Sequence, residues 1–215
     1  DHECSTAEEV LDKLRAGLHI YVREGSGAKN LETLIKTMLD AGVCLDRCAF
    51  CTDDKHVEEI RKEGHISTCI RKAIALGVPV AKAYKMGSYQ AAEFYGLKNY
   101  GAIGAGYRAD IVFLDDLEQV RPLDVMKDGR ILTEEDYAKD YSVPVPDELL
   151  HTVHVGEVTK EKIRLSCDGK TDVIQMNPHQ IVTTHLMEEV PTENGYFKSD
   201  GVYNKICVVE RHSLI

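Results

Sequence analysis

Apolar residues recur along the first hundred positions with two different periods, and their alternation is the main structural signal. Val10, Leu11, Leu14 and Leu18 keep helical spacing. Just upstream, Ser5-Thr6-Ala7-Glu8-Glu9 holds two overlapping capping boxes, Ser5 with Glu8 and Thr6 with Glu9, and Gly17 lies near the expected helix end. Residues 19–23 (His-Ile-Tyr-Val-Arg) are β-branched and aromatic and predict a strand. Leu31, Leu34, Ile35, Met38 and Leu39 restore the 3.6-residue period over 29–41, which Gly42 closes, and residues 47–51 predict the next strand. A short helix over 57–63, a break at Gly64-His65 and a longer helix over 66–76 follow. Residues 80–95 predict one more helix, with Gly87 at its middle as a potential break, since Gly costs about 1 kcal/mol against Ala there.

Strand, helix and strand in alternation imply parallel strands. Short parallel strands suit a closed barrel, where active residues come from the loops after the strands. Here those loops carry Asp1-His2-Glu3, Arg23-Glu24-Gly25-Ser26-Gly27 and Thr52-Asp53-Asp54. Two adjacent carboxylates at the mouth of a buried strand are costly unless a metal, hydrogen bonds or a proton compensates them. Thr and Asp also serve as ordinary turn and N-cap residues. Three successive strand ends carrying polar groups favour the functional reading. Adjacent strand residues point to opposite faces, so Asp53 and Asp54 share a site only where the strand has already turned into loop.

Beyond residue 100 the pattern changes. A glycine-punctuated stretch, 101–110, leads into strands over 111–114 and 120–126, and Asp128-Gly129 signals a hairpin continued by Ile131-Leu132. The glycines do not have phosphate-loop spacing, and they precede a strand instead of following one. Residues 137–149 are acidic and carry Pro144 and Pro146, which reads as a linker. The remainder has β-rich runs at 152–155, 163–166, 172–175, 181–185 and 202–210, and reads as a second, mostly β domain.

Composition narrows the function. Of 215 residues, 36 are Asp or Glu and 26 Lys or Arg, a net charge of -10, so nucleic acid and anionic membranes are poor partners. No apolar run approaches the roughly 18 residues that span a bilayer. No signal-peptide pattern opens the sequence, and a cytoplasmic location is expected. Cys44, Cys48 and Cys51 have spacing that invites a zinc reading, but Cys48 and Cys51 flank an apolar strand and no second pair follows, so free buried thiols are expected. The first residue is Asp1, and a piece cut from a longer chain is expected.

Four stretches together resemble one family: Asp1-His2-Glu3-Cys4, Val22-Arg23-Glu24-Gly25-Ser26, Phe50-Cys51-Thr52-Asp53-Asp54-Lys55-His56, and Gly101-Ala102-Ile103 with Gly106-Tyr107-Arg108-Ala109-Asp110-Ile111-Val112. In that order they are similar to the bacterial adenine deaminases of the amidohydrolase superfamily. The fourth motif is common to the whole superfamily, whereas the first three are narrower. The resemblance extends to Val208-Val209-Glu210-Arg211-His212. It implies an α/β fold: about strands six to eight of a (β/α)8 barrel over 1–100, a β-sandwich segment over 101–136, a linker over 137–150, and the start of a C-terminal domain, mainly β, over 151–215. It implies hydrolysis of adenine to hypoxanthine and ammonia, with one or two divalent metals, Mn or Fe, per parent chain.

By the same resemblance, Asp53 touches the metal and moves protons, His2 is a metal ligand, and Glu3 protonates the purine ring. Asp54 holds the purine's polar edge, and Arg23, Glu24 and Ser26 shape the pocket. The family's remaining metal ligands would precede residue 1, so these 215 residues are expected to be inactive alone. Adenine is the expected small-molecule partner, with a possible homo-oligomer. His56 and His65 lie within loop reach of the Asp pair, or serve as surface and capping residues. His151, His154, His179, His185 and His212 lack convincing ligand spacing. The rival expectations are an amidohydrolase acting on a cyclic amide, of dihydroorotase or hydantoinase type, and a non-catalytic truncated scaffold.

Overall fold

Two parallel strands, β1 (Ile20–Arg23) and β2 (Cys48–Cys51), lie side by side with Ile20 opposite Cys48 and Arg23 opposite Cys51. The computed structural model that shows this describes residues 1–211. The chain start extends the sheet: Asp1 N donates to His19 O and Tyr21 N–H donates to Asp1 O, both at 2.8 Å. This is the slanted bonding of a parallel ladder, so Asp1, β1 and β2 adjoin in chain order. The chain divides into two units, one of residues 1–138 with 177–182, the other of 139–176 with 183–215.

In the first unit, α1 (Ala7–Arg15) starts at the second of the two capping boxes: Thr6 Oγ1 accepts from Glu9 N–H, and Glu9's carboxylate accepts from Ser5 N–H. Lys13 pairs with Glu9 one turn on and holds that carboxyl below the usual range. Helix α2 (Leu31–Asp40) turns Leu31, Leu34, Ile35 and Met38 fully inward against Ile20, Val22, Cys48 and Phe50 of the sheet. Each such side chain contributes about 1.5–3 kcal/mol by leaving water.

After β2 come α3 (Val57–Glu63), α4 (Ile66–Ala75), α5 (Val80–Gly87) and α6 (Tyr89–Phe94). The single helix expected over 80–95 is two, broken at Ser88, whose backbone leaves the helical region. Gly87 permits a close approach there: a Cβ would sit 2.6 Å from Ile70 Cδ1 of α4. The unit continues with the antiparallel β3 (Ile111–Leu114), β4 (Pro122–Lys127) and β5 (Arg130–Ile131). Asp128 and Gly129, at φ 50° and 79°, make the expected tight hairpin between the last two. A short helix, α7 (Glu134–Ala138), ends this part.

The second unit opens with α8 (Asp147–Leu150) and holds two hairpins, β6 (Lys170–Met176) with β7 (Thr183–Glu189), and β8 (Thr192–Glu193) with β9 (Tyr196–Phe197). The strands expected at 152–155 and 202–210 do not form, although His154 N–H donates to Arg211 O at 2.7 Å. The run at 163–166 contributes only an isolated bridge from Ser166 to Tyr196. β-propensity measures fit to a partner strand, and one contact does not make a ladder. His212 lies outside the described residues. Among the described residues no helix is long and apolar enough to cross a membrane.

Burial pushes the thiols of Cys48 and Cys69 up to about 12. A group titrating there has well under about 1% thiolate at pH 9, and the thiolate is the nucleophile. Iodoacetamide at pH 8 to 9 is therefore expected to modify exposed Cys44 and Cys207 and to spare Cys48 and Cys69 until denaturant is added. Peptide mass mapping checks this, and native labelling of Cys48 as fast as Cys44 would contradict the packing of α2 on the sheet.

Candidate active site

The alternation of the two strands sorts their side chains. Ile20 and Val22, with Cys48 and Phe50, join the helix-packed core. Tyr21 and Arg23, with Ala49 and Cys51, take the other face. There Tyr21 meets Phe94 edge-on, with ring centroids 5.6 Å apart. Arg23 stands two residues beyond Tyr21 at the carboxyl end of β1, beside Cys51 at the end of β2. Burial, and then the nearby Asp53 carboxylate, raise the Cys51 thiol to about 11, so it is neutral near pH 7.

The Arg23 guanidinium gathers the acid pair. Its Nη2 lies 2.7 Å from Asp53 Oδ2 and 2.9 Å from Asp54 Oδ1, and the side chain is only 7% exposed. Two consecutive residues reach one nitrogen because the strand has ended: Asp53 is left-handed, at φ 47°. That conformation is uncommon outside Gly, and Asp tolerates it better than most. Arg23 Nε is buried and has no hydrogen-bond partner among the described residues.

Asp54 is spent on the loop after β1. Its second oxygen accepts from Gly27 N–H at 2.5 Å. A Cβ on Gly25 would lie 1.8 Å from Asp54 Oδ1, and one on Gly27 would lie 2.7 Å from Oδ2. The Gly-Ser-Gly sequence is thus what lets the loop close around this carboxylate. Burial raises the Asp54 carboxyl, but the Gly27 amide and Arg23 outweigh it and hold it below its ordinary value. Ser26 Oγ accepts from His56 N–H at 2.9 Å and donates to Glu59 Oε2 at 2.7 Å. Glu59 is the third residue of α3 and, in a capping box, would take the His56 N–H itself. Here the Ser26 hydroxyl stands between them and pins one loop to the next helix. Lys55, its side chain 2% exposed, reinforces this end through Glu63 at 2.6 Å and Glu59 at 3.5 Å.

The remaining expected site residues are placed as follows. Glu24 is buried with its carboxylate 2.6 Å from Lys72 of α4, on the opposite side of the strand from Arg23. His2 Nε2 lies 3.8 Å from Asp53 Oδ1, too far for a hydrogen bond, and both side chains are about half exposed. Glu3 is exposed beside His2, and its backbone N–H donates to Asp1 Oδ1. His65 bonds through Nε2 to Thr52 Oγ1 at 2.7 Å, one residue before Asp53, whereas His56 contributes its backbone N–H. Loop reach from the Asp pair was legible for His65, but its bond to Thr52 and the Glu24–Lys72 pair depend on where α4 packs. An apolar cavity of about 440 Å³ lies elsewhere, lined by α4, α5, β3 and β4, and none of its lining residues belongs to this group.

An imidazole and a carboxylate oxygen facing each other across 3.8 Å suit a divalent cation of the Mn, Fe or Zn kind. They make two donors, fewer than the three protein ligands usual in a catalytic zinc site. Among the described residues no group of three or more His, Cys, Asp or Glu has metal-binding geometry.

Residues 2–132 match the amidohydrolase family. The chain is 39% identical over 213 residues to an adenine deaminase of Desulfitobacterium hafniense strain Y51, covering 99% of this chain and 37% of that protein. It is 39% identical over 217 residues to an adenine deaminase of Clostridium acetobutylicum, covering 99% of this chain and 38% of that protein. It thus spans less than two fifths of the length of these curated relatives. A solved β-aspartyl dipeptidase of Fervidobacterium islandicum AW-1 aligns over 64% of this chain and 39% of its own at 19% identity, with a TM-score of 0.47, a likeness too loose to assign anything.

The glycine requirement is testable. Gly25→Ala is expected to expel the Asp54 carboxylate and destabilise the protein by about 1–3 kcal/mol, the usual cost of overpacking. Urea unfolding of the variant beside the parent measures it, and an unchanged midpoint would contradict the loop's closure around Asp54.

Proposed function

The chain belongs to the amidohydrolase family, and from that premise we propose that it is part of an enzyme that hydrolyses adenine to hypoxanthine and ammonia. The observation that carries the reading is the facing pair of His2 and Asp53, on either side of the end of β1, with Asp53 gripped by Arg23 of that strand. The curated relatives named adenine deaminase support the choice of substrate, since they match across this whole stretch.

Amidohydrolases are generally metal-dependent. When bound, a divalent metal, Mn or Fe, supplies an acidified water at neutral pH; His2 and Asp53 are the donors that this chain would offer it. Asp53 Oδ2 is held by Arg23 and Oδ1 faces His2; the carboxylate is the group that accepts a proton from the attacking water and delivers it to the departing amino nitrogen. Glu3, exposed next to His2, supplies the proton that the purine ring nitrogen takes up as water adds to the carbon bearing the amino group. The balance is adenine plus water giving hypoxanthine plus ammonia. Asp54, Ser26 and Glu24 serve this site by holding its loops, since each carboxylate or hydroxyl is bonded within the protein. The seven free thiols suit a reducing cytoplasm.

The protein from its natural source, assayed for ammonia and hypoxanthine, is expected to turn over adenine and not dihydroorotate or hydantoin. Hydrolysis of a cyclic amide without action on adenine would replace this reading with the rival one. Asp53→Asn is expected to lower kcat about 10²–10⁴-fold, the range of a lost general acid–base group. Chelation should abolish turnover of the wild-type enzyme, and Mn²⁺ or Fe²⁺ should restore it.

A further inference from the structure

We propose that Arg23 is a positioning residue: its guanidinium, anchored by Asp54, sets the Asp53 carboxylate so that Oδ1 is presented to the divalent cation shared with His2. This rests on the proposed reading of His2 and Asp53 as metal donors. Four observations carry it.

First, Arg23 spends one nitrogen on both acids. Nη2 contacts Asp53 Oδ2 and Asp54 Oδ1, while Nε is buried without a partner among the described residues. An ion pair built for strength uses the two-nitrogen edge against one carboxylate. Bridging through a single nitrogen instead fixes two carboxylates relative to each other. Second, the anchor is itself fixed: Asp54 is held by Gly27 N–H, and the loop closes on it where Gly25 leaves no room for a side chain. Third, Asp53 sits at φ 47°, a conformation its neighbours must maintain, and its contact with Arg23 is the short one. Fourth, Arg23 is 7% exposed whereas Asp53 is 40% exposed. The guanidinium is covered, and the carboxylate it holds is presented.

The test is Arg23→Gln in the full-length, metal-stripped protein, titrated with Mn²⁺ alone in competition with a chromophoric chelator, together with steady-state kinetics on adenine. Groups that orient a ligating carboxylate typically cost about 10–100-fold in metal affinity or activity when removed. We expect Mn²⁺ affinity and kcat both to fall within that range, with KM for adenine changed less than about threefold. Unchanged Mn²⁺ affinity with a raised KM would overturn the proposal and make Arg23 a substrate contact. Should Arg23→Gln not fold, Asp54→Asn decides the matter: it leaves the Arg23–Asp53 pair in place but frees its anchor, and Mn²⁺ affinity is expected to fall in the same direction. Wild-type affinity in a folded Asp54→Asn protein would then overturn the proposal. Weakened Mn²⁺ binding in a protein without activity on adenine would refute the substrate and leave the positioning role standing. Absence of any Mn²⁺ binding by the wild-type protein would overturn both.

Discussion

The local structure depends on one buried cation held between two carboxylates. Arg23 at the end of β1 is covered by protein, and removing a guanidinium from water costs several kcal/mol unless its charge is met. Asp53 and Asp54 meet it from the end of the neighbouring strand. That requirement ties the two strand ends together beyond the last ladder bond, Glu24 N–H to Cys51 O at 3.0 Å. The chain turns at Asp53, which is left-handed, and both acids come to the same guanidinium nitrogen. The glycines of the first loop follow from the same constraint, since the loop must admit the Asp54 carboxylate.

The site rests on an ordinary core. The helix-facing sides of β1 and β2 are apolar and fully buried, and α2 and α4 cover them. Glu24 interrupts this layer, and Lys72 answers it. A buried carboxylate paired to a helix lysine fixes α4 against the strand, and α4 also brings His65 to Thr52. The residues just before Asp53 are thereby set from the helix side while Arg23 sets Asp53 from the sheet side. Under the proposed function, this two-sided support is what holds a proton-transferring carboxylate within the few tenths of an ångström that such chemistry needs.

Much of this was legible in the sequence. The 3.6-residue period placed α1, α2 and α4, the capping pattern placed the start of α1, and Asp128-Gly129 placed a hairpin. These signals are local: a cap, a turn or an amphipathic face is decided within a few residues. The strand-end position of the loops bearing His2, Arg23 and Asp53 was also legible, because a βα alternation fixes which ends carry the loops. Less legible were the strands expected at 152–155 and 202–210. Their residues have β-propensity, but whether they pair depends on a partner edge that composition does not reveal.

The sequence by itself determined which residue types stand at the strand ends and that the strands run parallel. Only the tertiary structure decided what each polar group does there. Asp54, Ser26 and Glu24 stood in the sequence as substrate-binding candidates beside Asp53, yet their atoms are taken by Gly27, by His56 with Glu59, and by Lys72. Those partners lie 27 to 48 residues away in all four bonds. A carboxylate's role is set by which donors reach it, and that is a property of packed distance, which no local pattern encodes.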